Sequence, residues 1–179
     1  MGERNQQILK SIEKGKVPIL PIELTIATEA LGLHIDKQGK LSKQLGEMMT
    51  QSSETWHDNA PAEAIANDSK ILAASAEQTM RIINNSEVFD YANDDESVTL
   101  GSLVEIRYDG DDETMLFVLT GATRELPEEI TKTEGAECIT IASPLGAALF
   151  DKQKGEKVSY SVKGKIIWVE IVDVHTIGA

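Results

Sequence analysis

The residues that could carry chemistry are few, and they do not form a self-contained active-site motif. The acidic run Asp109–Glu113 has calcium-type ligands but lacks the twelve-residue loop with glycine at its sixth position, so a hairpin turn is the simpler interpretation. Cys138 lies in an apolar stretch and is typical of a buried small hydrophobe. His57 could bind a metal or transfer a proton, but like His34 and His175 it has no second ligand nearby, which is typical of a polar residue without a chemical role. The sequence contains no phosphate-binding loop, dinucleotide fingerprint or zinc-protease motif.

The elements that position these residues differ between the two halves of the chain. Up to about residue 85 the small and apolar residues have helical spacing, and the clearest helix is predicted over Pro61–Ile83. Asp58 or Asn59 can cap its first turn. Steps of three and four residues place one thin, coiled-coil-like seam on this helix, formed by Ile65, Ser69, Leu72, Ala76, Thr79 and Ile83.

The helix that pairs with this seam is predicted upstream. Two segments have the right character, Ile22–Leu33 and Leu41–Met49. Because Gly32 and residues 36–39 interrupt the pattern, we expect a bent or broken first arm. The two arms would meet at a tip within residues 52–60.

The second half, rich in Val, Ile and Thr with period-two alternation, predicts an antiparallel sheet with one short helix. That helix is expected over Leu145–Phe150, capped by Ser143 and with Pro144 in its first turn. The predicted strands are Leu103–Tyr108, Met115–Thr120, Cys138–Ala142, Val158–Val162 and Lys165–Val174. The fold class is therefore α+β, with a helical hairpin before the sheet.

Three segments follow from these elements. Residues 1–85 are expected to form the hairpin with an N-terminal extension that contains a short helix over Glu3–Lys14, residues 86–97 a polar linker, and residues 98–179 the sheet domain.

Charge and composition exclude several classes of function. The chain has 30 acidic against 17 basic residues, a net charge of −13, so it should repel DNA and RNA unless another protein brings it to them. The polar N-terminus is not a secretory signal, and the apolar run Val17–Ile22 is short and contains two prolines, far from a membrane span. With Cys138 as the only cysteine, no internal disulfide can form, and we expect a cytoplasmic protein.

A longer pattern in the second half resembles a known family. The stretch SPLGAALFDKQKGEKVSY, from Ser143 to Tyr160, resembles the C-terminal domain of the bacterial Gre transcript-cleavage factors. Thr99–Ser102 and Val169–Val172 match the opening and closing of that domain, so the resemblance covers roughly residues 98–176. It implies an FKBP-like fold that docks on RNA polymerase, although Rnk-type regulators share the domain.

The predicted tip resembles the same family more weakly. Residues Glu54–Ala60 align with the tip of the helical hairpin that Gre factors insert into the secondary channel of RNA polymerase. The resemblance implies that Asp58 helps to hold a Mg²⁺ ion shared with the polymerase and to orient a water for hydrolysis of the transcript. Glu54, one position from the expected first acid, could assist if the tip backbone shifts. The sequence departs from the family at Thr55, where that acid is expected, and at Trp56, which replaces a leucine.

Each of these tip residues also has a plain structural interpretation. Asp58 could simply cap the second helix, and Glu54 could be a solvated loop charge. Trp56 could seal the end of the hairpin or contact the polymerase. His57 could be a polar tip residue or, like Trp56, a contact with the polymerase. The resemblance further implies a partner-binding turn formed by Ser143, Pro144, Leu145 and Gly146.

Three functions remain open from the sequence. The first is an RNA polymerase-binding elongation factor that stimulates the polymerase's own transcript cleavage without being an enzyme itself. The second is a regulator that occupies the channel, or binds another protein in the Rnk manner, without cleavage. The third is an FKBP-like prolyl isomerase, for which the aromatic residues available are Tyr108, Phe117, Phe150, Tyr160 and Trp168.

Overall fold

The structure is a computed structural model that describes residues 2–51, 60–91, 97–131, 133 and 135–177. The α-helices and β-strands follow one another along the chain in the order α1 (Glu3–Glu13), β1 (Val17–Ile19), α2 (Pro21–Gln51), α3 (Ala60–Asn85), β2 (Ser86–Val88), β3 (Ser102–Tyr108), β4 (Thr114–Thr120), α4 (Glu128–Thr131), β5 (Glu137–Thr140), α5 (Pro144–Leu149), β6 (Lys157–Val162) and β7 (Lys165–Thr176). The predicted α+β class, with a helical hairpin before a sheet and a short helix, is confirmed. None of the described helices combines the length and apolarity needed to span a membrane.

The main sheet has five strands in the order β5-β4-β3-β7-β6. The strand pairs β3–β4, β3–β7 and β6–β7 are antiparallel, as the sequence predicts, but β5 runs parallel to β4. The prediction of a wholly antiparallel sheet was therefore wrong. The chain leaves β4 through residues 121–136, which include the unpredicted helix α4, and a connection of that length can return the chain to the starting end of β4.

The core of the sheet unit is mostly aliphatic, with Phe117 and Phe150 as its buried aromatic residues. Residues from β3, β4 and β7 form its centre, and Leu149 of α5 is fully buried against them. Ile8 of α1 and Leu20 are also fully buried in this core. Two residues from the N-terminal segment therefore complete a core that otherwise comes from the second half of the chain.

Polar contacts hold α1 on the sheet unit as well. Asn5 Nδ2 donates to the Val98 carbonyl at 3.2 Å and to Asp151 Oδ1 at 2.9 Å. Arg4 donates through its guanidinium to Thr99 Oγ1 at 3.3 Å and to the Leu100 carbonyl at 3.2 Å. A helix with one buried aliphatic residue and two such polar anchors is part of the sheet unit.

The chain accordingly divides into two compact units at boundaries that differ from the predicted ones. One unit comprises Met1–Leu24 and Asn85–Ala179, and the other comprises Thr25–Asn84. The N-terminal residues, predicted to extend the hairpin domain, belong to the sheet unit. The predicted linker contributes β2, which pairs in parallel with β1 from Val17↔Ser86 to Ile19↔Val88. The sequence did not indicate these strands because each is only three residues long.

The helical unit contains most of α2 and α3. The expected break in the first arm is wrong, because α2 continues without interruption through Gly32 and Gly39. Each glycine costs about 1 kcal/mol relative to alanine inside a helix, which is too little to break a helix that packs along one face. The α3 seam predicted from the sequence is half-buried or buried at all six positions. It faces α2 through half-buried residues at the same three-and-four spacing, namely Ala27, Leu31, His34, Gln38, Leu41, Leu45 and Met48.

A polar pair lies within this helix–helix contact. Gln38 Nε2 donates to Ser69 Oγ at 2.6 Å. Among the described residues, the buried atoms Gln38 Oε1 and His34 Nδ1 have no hydrogen-bond partner. Polar residues at seam positions fix the register of two helices at some cost in stability.

Candidate functional site

The predicted tip lies outside the described residues. It includes Glu54, Thr55, Trp56, His57 and Asp58. The helices on either side are described, with α2 ending at Gln51 and α3 beginning at Ala60, so the tip falls between two helices. The metal-binding and catalytic roles of Asp58 and Glu54 stay predictions, as do the contacts expected of Trp56 and His57.

The turn Ser143–Gly146 is described in full, and its hydrogen bonds explain its sequence. Ser143 Oγ accepts from the Gly146 backbone N–H at 3.0 Å, which caps α5, and Pro144 lies next to the cap where its missing N–H has no cost. Leu145 is buried in the core. A Cβ atom on Gly146 would lie 2.1 Å from the Thr140 carbonyl oxygen, so α5 and the end of β5 approach too closely for any side chain.

These contacts give three of the four turn residues a structural task. Leu145 and Gly146 are buried, Ser143 is half-buried, and Pro144 is exposed. A partner that bound here would therefore contact Pro144 and the residues that flank the turn. The partner-binding role of the turn stays a prediction.

An apolar groove adjoins this turn. It has a volume of about 360 Å³, and Ala142 and Ala147, on the two sides of the turn, both line it. The other lining residues come from the N-terminal segment and the core, namely Leu9, Ile12, Lys16, Val17, Pro18, Gly121, Ile141 and Phe150. The sequence did not reveal this groove, because α1, β1 and α5 are distant along the chain. One sequence signal could have indicated that α1 packs on another element, namely the helical spacing of the apolar residues Ile8, Leu9 and Ile12.

The carboxylate of Glu23 lies at the base of α2 and is almost completely buried, with 3% of the residue exposed. It accepts hydrogen bonds from the backbone N–H groups of Gly121 at 3.0 and 3.1 Å, Ala122 at 2.8 Å and Thr123 at 2.9 Å. Its Oε2 also accepts from the Leu20 N–H at 2.9 Å, as a glutamate three residues after a helix cap does. The sequence analysis missed Glu23, although an acid in the first turn of a helix is a signal for this kind of contact.

The remaining candidates have ordinary structural roles. The run after β3 is a hairpin turn, as predicted, with Gly110 at φ +92° between β3 and β4. Cys138 is half-buried, and burial raises the pKa of its thiol, which fits a small hydrophobe rather than a nucleophile. His175 lies on the surface, 3.5 Å from Asp173 Oδ2.

The aromatic residues of the sheet unit are spread over different environments. Phe117 is buried in the core, whereas Trp168 is 51% exposed. The hydroxyls of Tyr160 and Tyr108 lie 3.4 Å apart, and burial together with this hydrogen bond raises the pKa of Tyr108 to about 12. Tyr108 and Trp168 line a cavity of about 160 Å³ whose other walls include Arg107, Asp109, Asp111, Lys157 and Glu170. Such charged walls do not resemble the aromatic pocket expected of a prolyl isomerase.

Comparison with known proteins identifies what the chain is similar to. A family model described as "Transcription elongation factor, GreA/GreB, C-term" matches residues 93–176. The transcription elongation factor GreA of Roseiflexus sp. is 26% identical over 74% of this chain and 82% of its own length. The GreA of Mycobacteroides abscessus is 36% identical over 57% of this chain and 60% of its own length. Among solved structures, the GreA factor homolog 1 protein of Thermus thermophilus overlaps 89% of this chain and 99% of its own, with 20% identity and a TM-score of 0.42. The resemblance to Gre-type factors seen in the sequence is thereby confirmed.

Proposed function

We propose that this chain is a Gre-type transcription elongation factor that binds RNA polymerase, inserts its helical hairpin into the secondary channel and stimulates cleavage of backtracked transcripts. The observation that carries the proposal is the match of residues 93–176 to the GreA/GreB C-terminal domain, together with relatives named GreA. The helices α2 and α3, which meet along a seam and are separated by the predicted tip, supply the second part that such a factor needs.

Binding would rest on protein–protein contacts. With a net charge of −13, the chain gains nothing from counterion release on nucleic acid, so it would contact RNA only inside the polymerase complex. Pro144 and the apolar groove beside it form the surface of the sheet unit that we assign to docking. The factor would act where bacterial RNA polymerase works, in the cytoplasm.

At the tip, Asp58 and Glu54 would hold a Mg²⁺ ion jointly with the polymerase. Carboxylate oxygens are hard ligands of the kind Mg²⁺ prefers, and the ion keeps several waters, so one or two carboxylates are enough. When bound, the ion would lower the pKa of a water and help to place it for attack on the phosphodiester. The hydrolytic centre would belong to the polymerase, and the chain itself would not be an enzyme.

A cleavage assay on a stalled, backtracked polymerase with labelled RNA and Mg²⁺ tests this proposal. Wild-type protein should stimulate the polymerase to cleave the transcript near its 3′ end. Asp58→Ala should lower the stimulated rate by about two orders of magnitude, the scale of losing a group that orients a reactant. Glu54→Ala should have a smaller effect in the same direction. Asp36→Ala removes one exposed carboxylate from α2 and serves as the matched control, with an unchanged rate. Equal cleavage by Asp58→Ala and Asp36→Ala would remove Asp58 from the chemistry.

The second candidate is a regulator that occupies the channel without promoting cleavage. The observation that favours it is Thr55, which stands where the family resemblance places the first tip acid. The same assay separates the two, because this regulator would bind the polymerase and compete with other channel ligands while the RNA stays intact. A wild-type protein that did not bind the polymerase at all would exclude both.

A further inference from the structure

The strand β6 lies at one edge of the five-stranded sheet, with β7 as its neighbour on the inner side. The two strands are joined by the tight turn 163–164, whose φ angles of +50° and +79° suit a two-residue hairpin. Opposite residues in such a hairpin alternate between hydrogen-bonded and non-hydrogen-bonded pairs, beginning with a bonded pair at Val162 and Lys165. The backbone N–H and C=O groups of Ser159 and Ser161 therefore point away from β7.

These outward backbone groups are available to another chain. Apart from the pairing of β6 with β7, no backbone hydrogen bond reaches Ser159 or Ser161 from elsewhere in the described part of the chain, and both residues are exposed. An exposed strand edge of this kind is a template for an additional strand. Recognition by strand addition draws its affinity from main-chain hydrogen bonds and its specificity from alternate side chains.

The side chains beside this edge include two large apolar groups that face solvent. Ser159 lies opposite Trp168, and Ser161 lies opposite Ile166, so these four side chains share one face of the sheet. Trp168 is 51% exposed and Ile166 is 69% exposed. Because each serine is small, the flank of its large neighbour stays open towards the edge. A strand added beside β6 would place apolar side chains above the serines and against Trp168 and Ile166.

The charge around this edge is opposite in sign to the charge of the whole chain. Residues 157–169 contain the lysines Lys157, Lys163 and Lys165 and no acidic residue, in a chain with a net charge of −13. Lys163 and Lys165 are exposed and form no ion pair with another described residue, while Lys157 lies 4.0 Å from Asp109. Two copies of this edge would bring like charges together, whereas an acidic segment would meet charges of opposite sign. The charge therefore favours an acidic partner over a second copy of this chain.

We propose that the β6 edge, formed by residues 157–162 with Ile166 and Trp168 beside it, binds an extended acidic segment of a protein partner by strand addition. The segment pairs with the outward N–H and C=O groups of Ser159 and Ser161. Its central apolar side chains lie against Trp168 and Ile166, and its acidic ends lie near the lysines at the two ends of β6. The inference goes beyond the proposed function, since this edge shares no residue with the groove beside the Ser143–Gly146 turn.

Amide hydrogen exchange, measured by NMR on the isotope-labelled full-length protein, tests strand addition directly. The probe is a capped peptide of sequence Glu-Glu-Val-Thr-Val-Glu-Glu. At saturating peptide, the amides of Ser159 and Ser161 should exchange at least about tenfold more slowly, because new hydrogen bonds protect them. The amides of Val158 and Tyr160, which already pair with β7, should change less. Binding that leaves the exchange of Ser159 and Ser161 unchanged would overturn the proposal.

The acidic specificity is tested with a second peptide that has lysine in place of every glutamate. It should bind at least about tenfold more weakly than the glutamate peptide, because its charges would oppose the lysines of the edge. Equal binding of the two peptides would contradict an acidic partner. Failure of the glutamate peptide to bind would mean that the lysines merely protect an edge strand from pairing, and this result would also overturn the proposal.

Matched variants test the residues of the surface. Lys163→Glu combined with Lys165→Glu reverses the charge at one end of the edge and should weaken binding of the glutamate peptide at least about tenfold. Lys37→Glu combined with Lys40→Glu makes the same change at exposed positions of α2 and should leave the affinity nearly unchanged. Trp168→Ala should weaken binding to a similar extent as the first pair, since it removes an aromatic anchor. Equal effects of the two charge reversals would show a general charge attraction instead of a site.

Two other occupants of the edge would give different results. Lysines and an exposed tryptophan also suit stacked bases, so displacement of the peptide by a single-stranded oligouridine RNA would assign the edge to nucleic acid. Protection of Ser159 and Ser161 that rises with protein concentration, without peptide, would assign the edge to a second copy of this chain. Either result would overturn the proposal.

Discussion

Two glycines in helices show how differently the same residue type is used in this chain. Gly146 cannot carry a side chain because of the Thr140 carbonyl, whereas Gly39, in the middle of α2, has nothing within 4 Å of the position of a Cβ atom. We expect Gly146→Ala to lower the free energy of unfolding of the sheet unit by about 1–3 kcal/mol through overpacking. Gly39→Ala should instead stabilise the helical unit by about 0.5–1 kcal/mol.

Urea denaturation of the two variants, followed by circular dichroism, measures both changes against wild type. Because both variants replace a helical glycine with alanine, a general effect of alanine on helices would change the two free energies of unfolding in the same direction. Opposite signs are the expected result. A Gly146→Ala protein as stable as wild type would mean that β5 can move away from α5.

The residues around Gly146 also show what the sequence could predict at this scale. Ser143 as a cap and Pro144 in the first turn follow from local backbone chemistry, so they were predicted correctly. The close approach at Gly146 depends on the Thr140 carbonyl in β5, and the hydrogen bonds of Glu23 depend on a loop about 100 residues later in the chain. The spacing of residues along a short segment could therefore predict neither contact.

At the scale of elements, Asn5 is one of the side chains that hold α1 on the sheet unit. Asn5 is 2% exposed and donates to both Val98 and Asp151. Asn5→Ala removes these bonds and leaves a buried gap, and should cost about 1–3 kcal/mol of stability. Gln6→Ala, on the exposed side of the same helix, is the control and should stay within about 0.5 kcal/mol of wild type.

Limited proteolysis of residues 1–16, alongside urea denaturation, gives the readout for α1. Faster cleavage in Asn5→Ala than in Gln6→Ala would show that α1 has loosened from the sheet unit. Equal cleavage rates and equal stabilities would contradict the role given to Asn5 and leave Ile8 as the main anchor.

Elements were predicted well where one periodic face decides and poorly where long-range pairing decides. The α3 seam follows from spacing alone and was placed correctly. The prediction of a break at Gly32 and Gly39 was wrong because it gave the low helix propensity of glycine more weight than the packing along α2. Contacts between distant segments determine the parallel pairing of β5 with β4 and of β1 with β2. No local sequence pattern could therefore predict these pairings.

For the whole molecule, the two units differ in how much apolar surface they bury. Among the described residues of Thr25–Asn84, Leu72 is the one hydrophobic side chain that counts as buried, at 9% exposure, whereas the sheet unit has a continuous aliphatic core. Stability within a protein varies with the density of buried apolar contacts, so the helical unit should open locally at a lower free energy than the sheet.

Hydrogen exchange read by mass spectrometry tests this difference with two neighbouring substitutions. Leu72→Ala removes the buried side chain and should destabilise the helical unit by about 2 kcal/mol or more, while Ile71→Ala, at a position 70% exposed, should change it by less than about 0.5 kcal/mol. Amides of α2 and α3 should exchange faster in Leu72→Ala than in wild type, and at the wild-type rate in Ile71→Ala. The exchange rates of amides in β3 and β7 should stay unchanged in both variants. If β3 and β7 also lost protection in Leu72→Ala, the two units would unfold as one.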